Sequence, residues 1–160
     1  MTSPGLDRTL ETLELMAQAE EAVQHLYATC AVLWKEDEEF WRRLAGEERR
    51  HAKHIRSMIA ILTDNPSRFQ AGRPFSAIAL KTFISGIKRD IESVKQFPVP
   101  ELKALRLALD IEQALIEARF TEIVQTEDKG FQYLADDIVQ ETTVHRRLVE
   151  NKIAQLQAKG

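Results

Sequence analysis

Apolar residues recur at intervals of three and four along four long stretches of the chain, which is the period of an amphipathic α-helix. These stretches are rich in Ala, Leu, Glu, Gln, Lys and Arg, residues that favour helix, and they carry no β-strand signal. Proline and glycine gather in short segments between them, where helices are interrupted. We therefore predict an all-α protein with helices over residues 6–34, 37–62, 101–124 and 127–156.

A fifth amphipathic segment, residues 76–96, lies between the second and third of these helices. It follows Pro74, begins at Ser76 as a predicted N-cap and ends before Pro98. The short links within each pair of long helices predict antiparallel hairpins, and the long middle connection lets the second hairpin pack on the first. The predicted architecture is an antiparallel four-helix bundle with a helical crossover between helices two and three, in a single domain over residues 1–160.

The charge and cysteine content of the chain argue against several classes of partner and site. The 22 basic and 25 acidic residues are mixed along the sequence, without the basic block that would neutralise nucleic-acid phosphates. Cys30 is the one cysteine in the sequence, so this chain forms neither an intrachain disulfide nor a four-cysteine metal module. No stretch approaches the roughly 20 apolar residues that span a bilayer. We therefore expect a cytoplasmic protein that binds neither nucleic acid nor membrane.

The predicted inward stripe of every long helix contains a glutamate, and two of the stripes also contain a histidine. Neither residue type is usual in an ordinary apolar core. The six residues are Glu20 in helix one, Glu48 and His51 in helix two, Glu112 in helix three, and Glu141 and His145 in helix four.

The cost of burying charge gives these residues a common interpretation. An unpaired buried carboxylate is so destabilising that four of them in one core would unfold a marginally stable domain unless positive charge compensated them. Two divalent cations would balance four carboxylates, and two neutral imidazoles would add nitrogen ligands. We therefore predict a buried site in which the six residues bind two metal ions.

A different interpretation holds for any one of these residues taken singly. A glutamate could belong to a stripe misjudged by one position and lie at a solvated helix edge, since glutamates also stand at positions 21 and 47. A histidine could be a core residue with a backbone partner. The metal site is favoured because both hairpins repeat one order, glutamate, loop, then glutamate with histidine, at glutamate separations of 28 and 29 residues.

Three stretches of the sequence match the pattern of a known group of proteins. Residues 48–51 form a Glu-Arg-Arg-His motif, Tyr27 follows Glu20 by seven residues, and Glu112 ends an Ala-Leu-Asp-Ile-Glu stretch. With these features the chain resembles the ferritin-like superfamily, and within it rubrerythrin, over essentially its whole length.

The resemblance implies a non-haem protein with two iron ions and redox activity toward peroxide or dioxygen, as a peroxidase or ferroxidase. It implies bridging roles for Glu48 and Glu141, terminal roles for Glu20 and Glu112, and one iron for each of the two histidines. Manganese fits the same ligands. An external electron donor and a homodimer are further implications.

The sequence departs from the rubrerythrin pattern in several places. Glu141 precedes His145 by four residues where the family has three, so that Thr142 stands where a ligating glutamate is expected. Positions three and four before a residue share one helix face, so Glu141 can still be expected to reach the metals. Leu115 replaces a further glutamate that is associated with peroxide chemistry, and Arg119 replaces a tyrosine. The usual four-cysteine iron domain has no counterpart in this chain.

Other functions fit the same pattern. Iron storage without turnover would require assembly into a shell. A helical interaction module that has lost its metal is also compatible with the imperfect motif in the fourth helix. One well-formed metal position in the first hairpin, with a weaker second position, is a further alternative.

Overall fold

The chain folds almost entirely into α-helix. A computed structural model describes residues 3–96, 99–117 and 120–160. Within these ranges five α-helices follow one another: α1 Pro4–Leu33, α2 Glu38–Asp64, α3 Ala77–Gln96, α4 Glu101–Glu117 and α5 Lys129–Lys159. The predicted all-α class is confirmed.

Side-chain caps fix where three of these helices begin. Ser3, Ser76 and Asp128 each accept a hydrogen bond from the backbone amide three residues further on, at 3.3, 3.1 and 2.9 Å. Such a bond satisfies one of the amides that have no partner at a helix N-terminus. The cap at Ser76 confirms the predicted start of the crossover helix.

The third predicted long helix is shorter in the structure than the sequence pattern indicated. It was expected to continue to residue 124, but helix is described only as far as Glu117, and Phe120–Glu122 form a short 3-10 turn. Arg119, the departure noted above, lies outside the described residues. Residues 121–126 contain four β-branched side chains among six, which favour an extended backbone over a helix.

A two-stranded antiparallel pair joins the segment between α2 and α3 to the connection between α4 and α5. Strand β1, Phe69–Ala71, pairs with β2, Val124–Thr126. The amide of Gly72 continues the pairing with a 2.8 Å hydrogen bond to the carbonyl of Ile123. A β-carbon at Gly72 would collide with the carbonyl of Glu122, so only glycine fits this approach. The expectation of no strand was wrong here, because three residues are too few for alternation to be recognised.

The helices pack so that α1 lies against both α2 and α3, while α5 contacts both α2 and α4. The crossover helix α3 buries Leu80, Ile84, Ile87, Ile91 and Val94. Because α1 is covered on two sides, its buried residues form a wider band than a single stripe. None of the helices in the described ranges is long and apolar enough to cross a membrane.

The inward face of α5 differs from its predicted stripe at three positions. In place of residues 134, 141 and 148, this helix buries Ala135, Thr142 and Val149. Steps of three then four, or four then three, fit a helical period equally well, so the sequence pattern does not separate the two faces. Glu141 therefore lies at the edge of the buried face.

Candidate metal centre

Five of the six predicted site residues are buried in the core. They come from four different helices, α1, α2, α4 and α5, and each exposes 4% of its surface or less. These five are Glu20, Glu48, His51, Glu112 and His145. Among the described residues no lysine or arginine is buried with them, so these carboxylates lack the ordinary counter-charge of a salt bridge.

The carboxylate of Glu48 lies at the centre of this group. Its Oε1 is 3.0 Å from Nδ1 of His145, and its Oε2 is 3.4 Å from Nδ1 of His51. The two imidazole rings stack with centroids 5.3 Å apart. One carboxylate thus faces the same nitrogen of both histidines. Ligand atoms of these three residues all lie within 4.8 Å of one another, close enough to hold a metal ion.

Glu112 is held by Tyr27, whose contact with it was not predicted from the sequence. The hydroxyl of Tyr27 donates a 2.7 Å hydrogen bond to Oε1 of Glu112, and both side chains are fully buried. The other oxygen of Glu112, Oε2, is 4.0 Å from Nδ1 of His145. Tyr27 therefore fixes one oxygen of Glu112 and leaves the other directed toward the histidines.

Burial raises the pKa of Glu20 well above its ordinary value, and the charge of Glu48 raises it further. The pKa of Glu112 is raised by the same two causes, which outweigh the hydrogen bond from Tyr27. Burial alone would raise the pKa of Glu48 too, but its contacts with Glu20 and both histidines lower it instead. Without a bound cation, the lowered pKa of Glu48 favours its ionised form, and the raised pKa values of Glu20 and Glu112 favour their protonated forms.

Several buried atoms of the cluster lack hydrogen-bond partners. Among the described residues these are Oε2 of Glu20, Oε2 of Glu48, Oε2 of Glu112 and Nδ1 of His51. A buried polar atom without a partner costs about 1–3 kcal/mol, so four in one place require an explanation. All four are atom types that coordinate divalent metals. The donor set therefore fits a bound cation.

Glu141 lies on the far side of the His51 ring from Glu48. Its Oε2 is 2.7 Å from Nε2 of His51, whereas Nδ1 of that ring faces Glu48. The side chain of Glu141 is 22% exposed and also pairs with Arg50. Its ligand atoms come within 4.8 Å of those of Glu47 and His145, in a second, partly exposed group. The structure thus brings Glu141 to the site, but at its outer edge.

Comparisons with known proteins identify no relative of this chain. No protein-family model, no curated protein and no solved structure matches the chain. The interpretation of the centre therefore depends on the contacts of its side chains.

A polar network outside the cluster was not predicted. Arg50 contacts Glu47 at 2.8 Å and Asp137 at 3.4 Å in addition to Glu141. His54 lies 3.1 Å from the same Asp137 carboxylate. One signal was in the sequence, because Asp137 precedes Glu141 by four residues and so shares its helix face. The sequence contained no signal for the approach of α2 to α5 that completes the network.

Proposed function

We propose that this chain is a ferritin-like, rubrerythrin-like protein that binds two divalent metal ions, in the first place iron, and acts on peroxide or dioxygen. The observation that carries the proposal is the set of four buried ligand atoms without hydrogen-bond partners around Glu48. The arrangement of α1, α2, α4 and α5 around this set, with α3 as the crossover, supports a ferritin-like four-helix bundle.

The residues that would hold the ions are the five buried ones, with Glu48 between the two histidines. Three carboxylates offset most of the charge of two divalent cations, which is the compensation that buried ions need. Bound iron would supply electron transfer to peroxide or dioxygen, and an external donor would return the electrons. Manganese suits the same ligands.

The protein's own contribution is to orient ligands, to exclude water and to hold protons. Tyr27 orients Glu112 through its 2.7 Å hydrogen bond. Glu141 accepts from Nε2 of His51, which leaves Nδ1 of that ring as the free ligand atom. The raised pKa values of Glu20 and Glu112 favour their protonated forms, whereas a coordinating carboxylate is ionised, so we expect metal binding to release protons.

One observation favours a second candidate with a single ion. Glu141 is engaged by Arg50 and His51, so it is less free to ligate than the family pattern implies. The compact group of Glu48, His51 and His145 would then bind one ion alone.

Elemental analysis of protein loaded with ferrous iron under anaerobic conditions tests both candidates. We expect two ions per chain, and one ion would favour the single-site alternative. Glu48→Ala should abolish binding, because it removes the carboxylate that faces both histidines. Glu39→Ala, an exposed glutamate of the same helix, is the matched control. Occupancy near zero in the unmodified protein would refute the proposal.

The reaction is tested separately on the loaded protein. Rapid mixing of the ferrous form with peroxide and, in parallel, with dioxygen compares the two oxidation rates. A faster reaction with peroxide indicates a peroxidase, and a faster reaction with dioxygen a ferroxidase. Full occupancy without reaction toward either would contradict the redox proposal and favour iron storage.

A further inference from the structure

A cavity of about 280 Å³ opens beside the candidate metal centre. Its walls come from α1, from the segment that leads into α3, and from α3 and α4. Most of the lining is apolar or aromatic, and includes Met16, Phe75, Phe83 and Leu115. Among the described residues that line it, Glu20 is the one that can ionise.

A smaller cavity lies next to this one. This second cavity, of about 20 Å³, shares three of the same lining residues, Met16, Glu20 and Leu115. Its remaining wall includes Thr142 of α5, the buried residue next to Glu141. Both cavities therefore border Glu20, a residue of the candidate metal centre.

The shape and chemistry of the larger cavity indicate what it would hold. An apolar cavity of about 150 Å³ suffices to bind benzene, and this one is nearly twice as large. Glu20 supplies the carboxyl group of its lining. Ligand sites typically combine such an apolar lining with a few polar atoms. A carboxyl group as the single ionisable neighbour disfavours an anion.

We infer that this cavity is a binding site for a small, uncharged, mainly apolar molecule of about two fused rings, seated against Glu20. The inference goes beyond the proposed function, because such binding needs no metal ion. It would place the molecule in contact with a residue of the candidate metal centre.

The test is a fluorescence titration of the metal-free full chain with prodan, a neutral naphthalene dye whose emission shifts to the blue in apolar surroundings. We expect saturable binding at one site per chain. The anionic dye anilinonaphthalene sulfonate should bind at least about tenfold more weakly, because its sulfonate would be buried against an apolar lining that offers no positively charged partner.

Two variants test the cavity by filling it from different helices. Ala79 on α3 and Ala114 on α4 both line it and are exposed, so Ala79→Phe and Ala114→Phe should fold. Each should weaken prodan binding at least about tenfold, because the new ring occupies the ligand's space. Ile78→Phe is the matched control, since Ile78 is 77% exposed and lies outside the lining. Circular dichroism verifies that each variant is folded.

Two results would overturn the inference. One is the lack of saturable prodan binding to the folded, unmodified chain. The other is an unchanged Kd in whichever filled variant is folded. Neither result depends on iron occupancy, so failure of this inference and failure of the metal proposal are distinguishable.

Discussion

His51 and Glu141 form a directed pair at the edge of the centre: Nε2 of the imidazole lies 2.7 Å from Oε2 of the carboxylate. A carboxylate in this position holds a ligating histidine in one tautomer and orientation. The pair therefore indicates that Glu141 orients His51 and does not itself bind the metal. Substitutions of Glu141 distinguish these two roles.

Glu141→Ala should weaken iron binding by about 10–100-fold, the usual cost of removing a carboxylate that orients a ligating histidine. Glu141→Gln should bind iron more tightly than Glu141→Ala does, because the amide oxygen can still accept from Nε2 of His51. Anaerobic titration with ferrous iron measures both affinities. Equal and complete loss of one ion in the two variants would instead identify Glu141 as a direct ligand.

Removal of the Tyr27 hydroxyl should destabilise the metal-free protein. Tyr27→Phe leaves the buried Oε1 of Glu112 without its 2.7 Å donor, which costs about 1–3 kcal/mol of unfolding free energy. Urea denaturation measures the change. Tyr133→Phe is the matched control, because Tyr133 is 69% exposed. Equal stability of the two variants would contradict the importance of this contact.

Divalent metal should stabilise the folded chain, because the cluster exists only when the helices are assembled. At a free metal concentration of about 100 times Kd, linkage gives about 2.7 kcal/mol. For a domain of this size that corresponds to a rise in Tm of roughly 5–10 °C. Calorimetry before and after chelation measures the shift. Glu48→Gln should show none, and an equal shift in this variant would indicate binding elsewhere.

Glu101 should make stability fall as the pH rises. Burial raises its pKa to about 7, with a further contribution from Asp37, while Nε1 of Trp41 donates to its carboxylate at 2.9 Å. Because the folded chain binds this proton more tightly than the unfolded chain, its contribution is complete below about pH 4.5 and is lost as the pH rises through about 7.

Glu101→Gln should therefore raise Tm at about pH 8 and have little effect at about pH 4. Thermal melts across this range measure the difference from the unmodified chain. Glu11→Gln, an exposed glutamate of α1, is the control and should show no such trend. A gain in Tm that is the same at both pH values would contradict the assignment.

The sequence predicted the buried residues best where helical spacing leaves one choice. Glu20, Glu48 and His51 lie at positions where a shift of one residue would expose large apolar neighbours, so periodicity identifies the inward face. Helical spacing also predicted inward positions for Glu112 and His145, and both are buried in the core.

Periodicity failed where two faces of a helix are equally apolar. In α5, Leu134 and Ala135 both fit the stripe, and so do Leu148 and Val149, so nothing in the pattern favoured Thr142 over Glu141. The contact of Tyr27 with Glu112 depends on how closely distant helices approach. Such distances are set by packing across the core and are not encoded in local spacing.

The strand pair between β1 and β2 has a mechanical consequence. It ties the end of α2 to the start of α5, and Arg68 reinforces the tie with a 2.9 Å bond to Asp128, the N-cap of α5. These two helices carry the stacked histidines. The imidazoles would separate if one helix slid along the other. Such a movement first requires the β1–β2 pair and the Arg68–Asp128 bond to break. A substitution that disrupts these connecting segments, far from the centre, should therefore lower its affinity for metal.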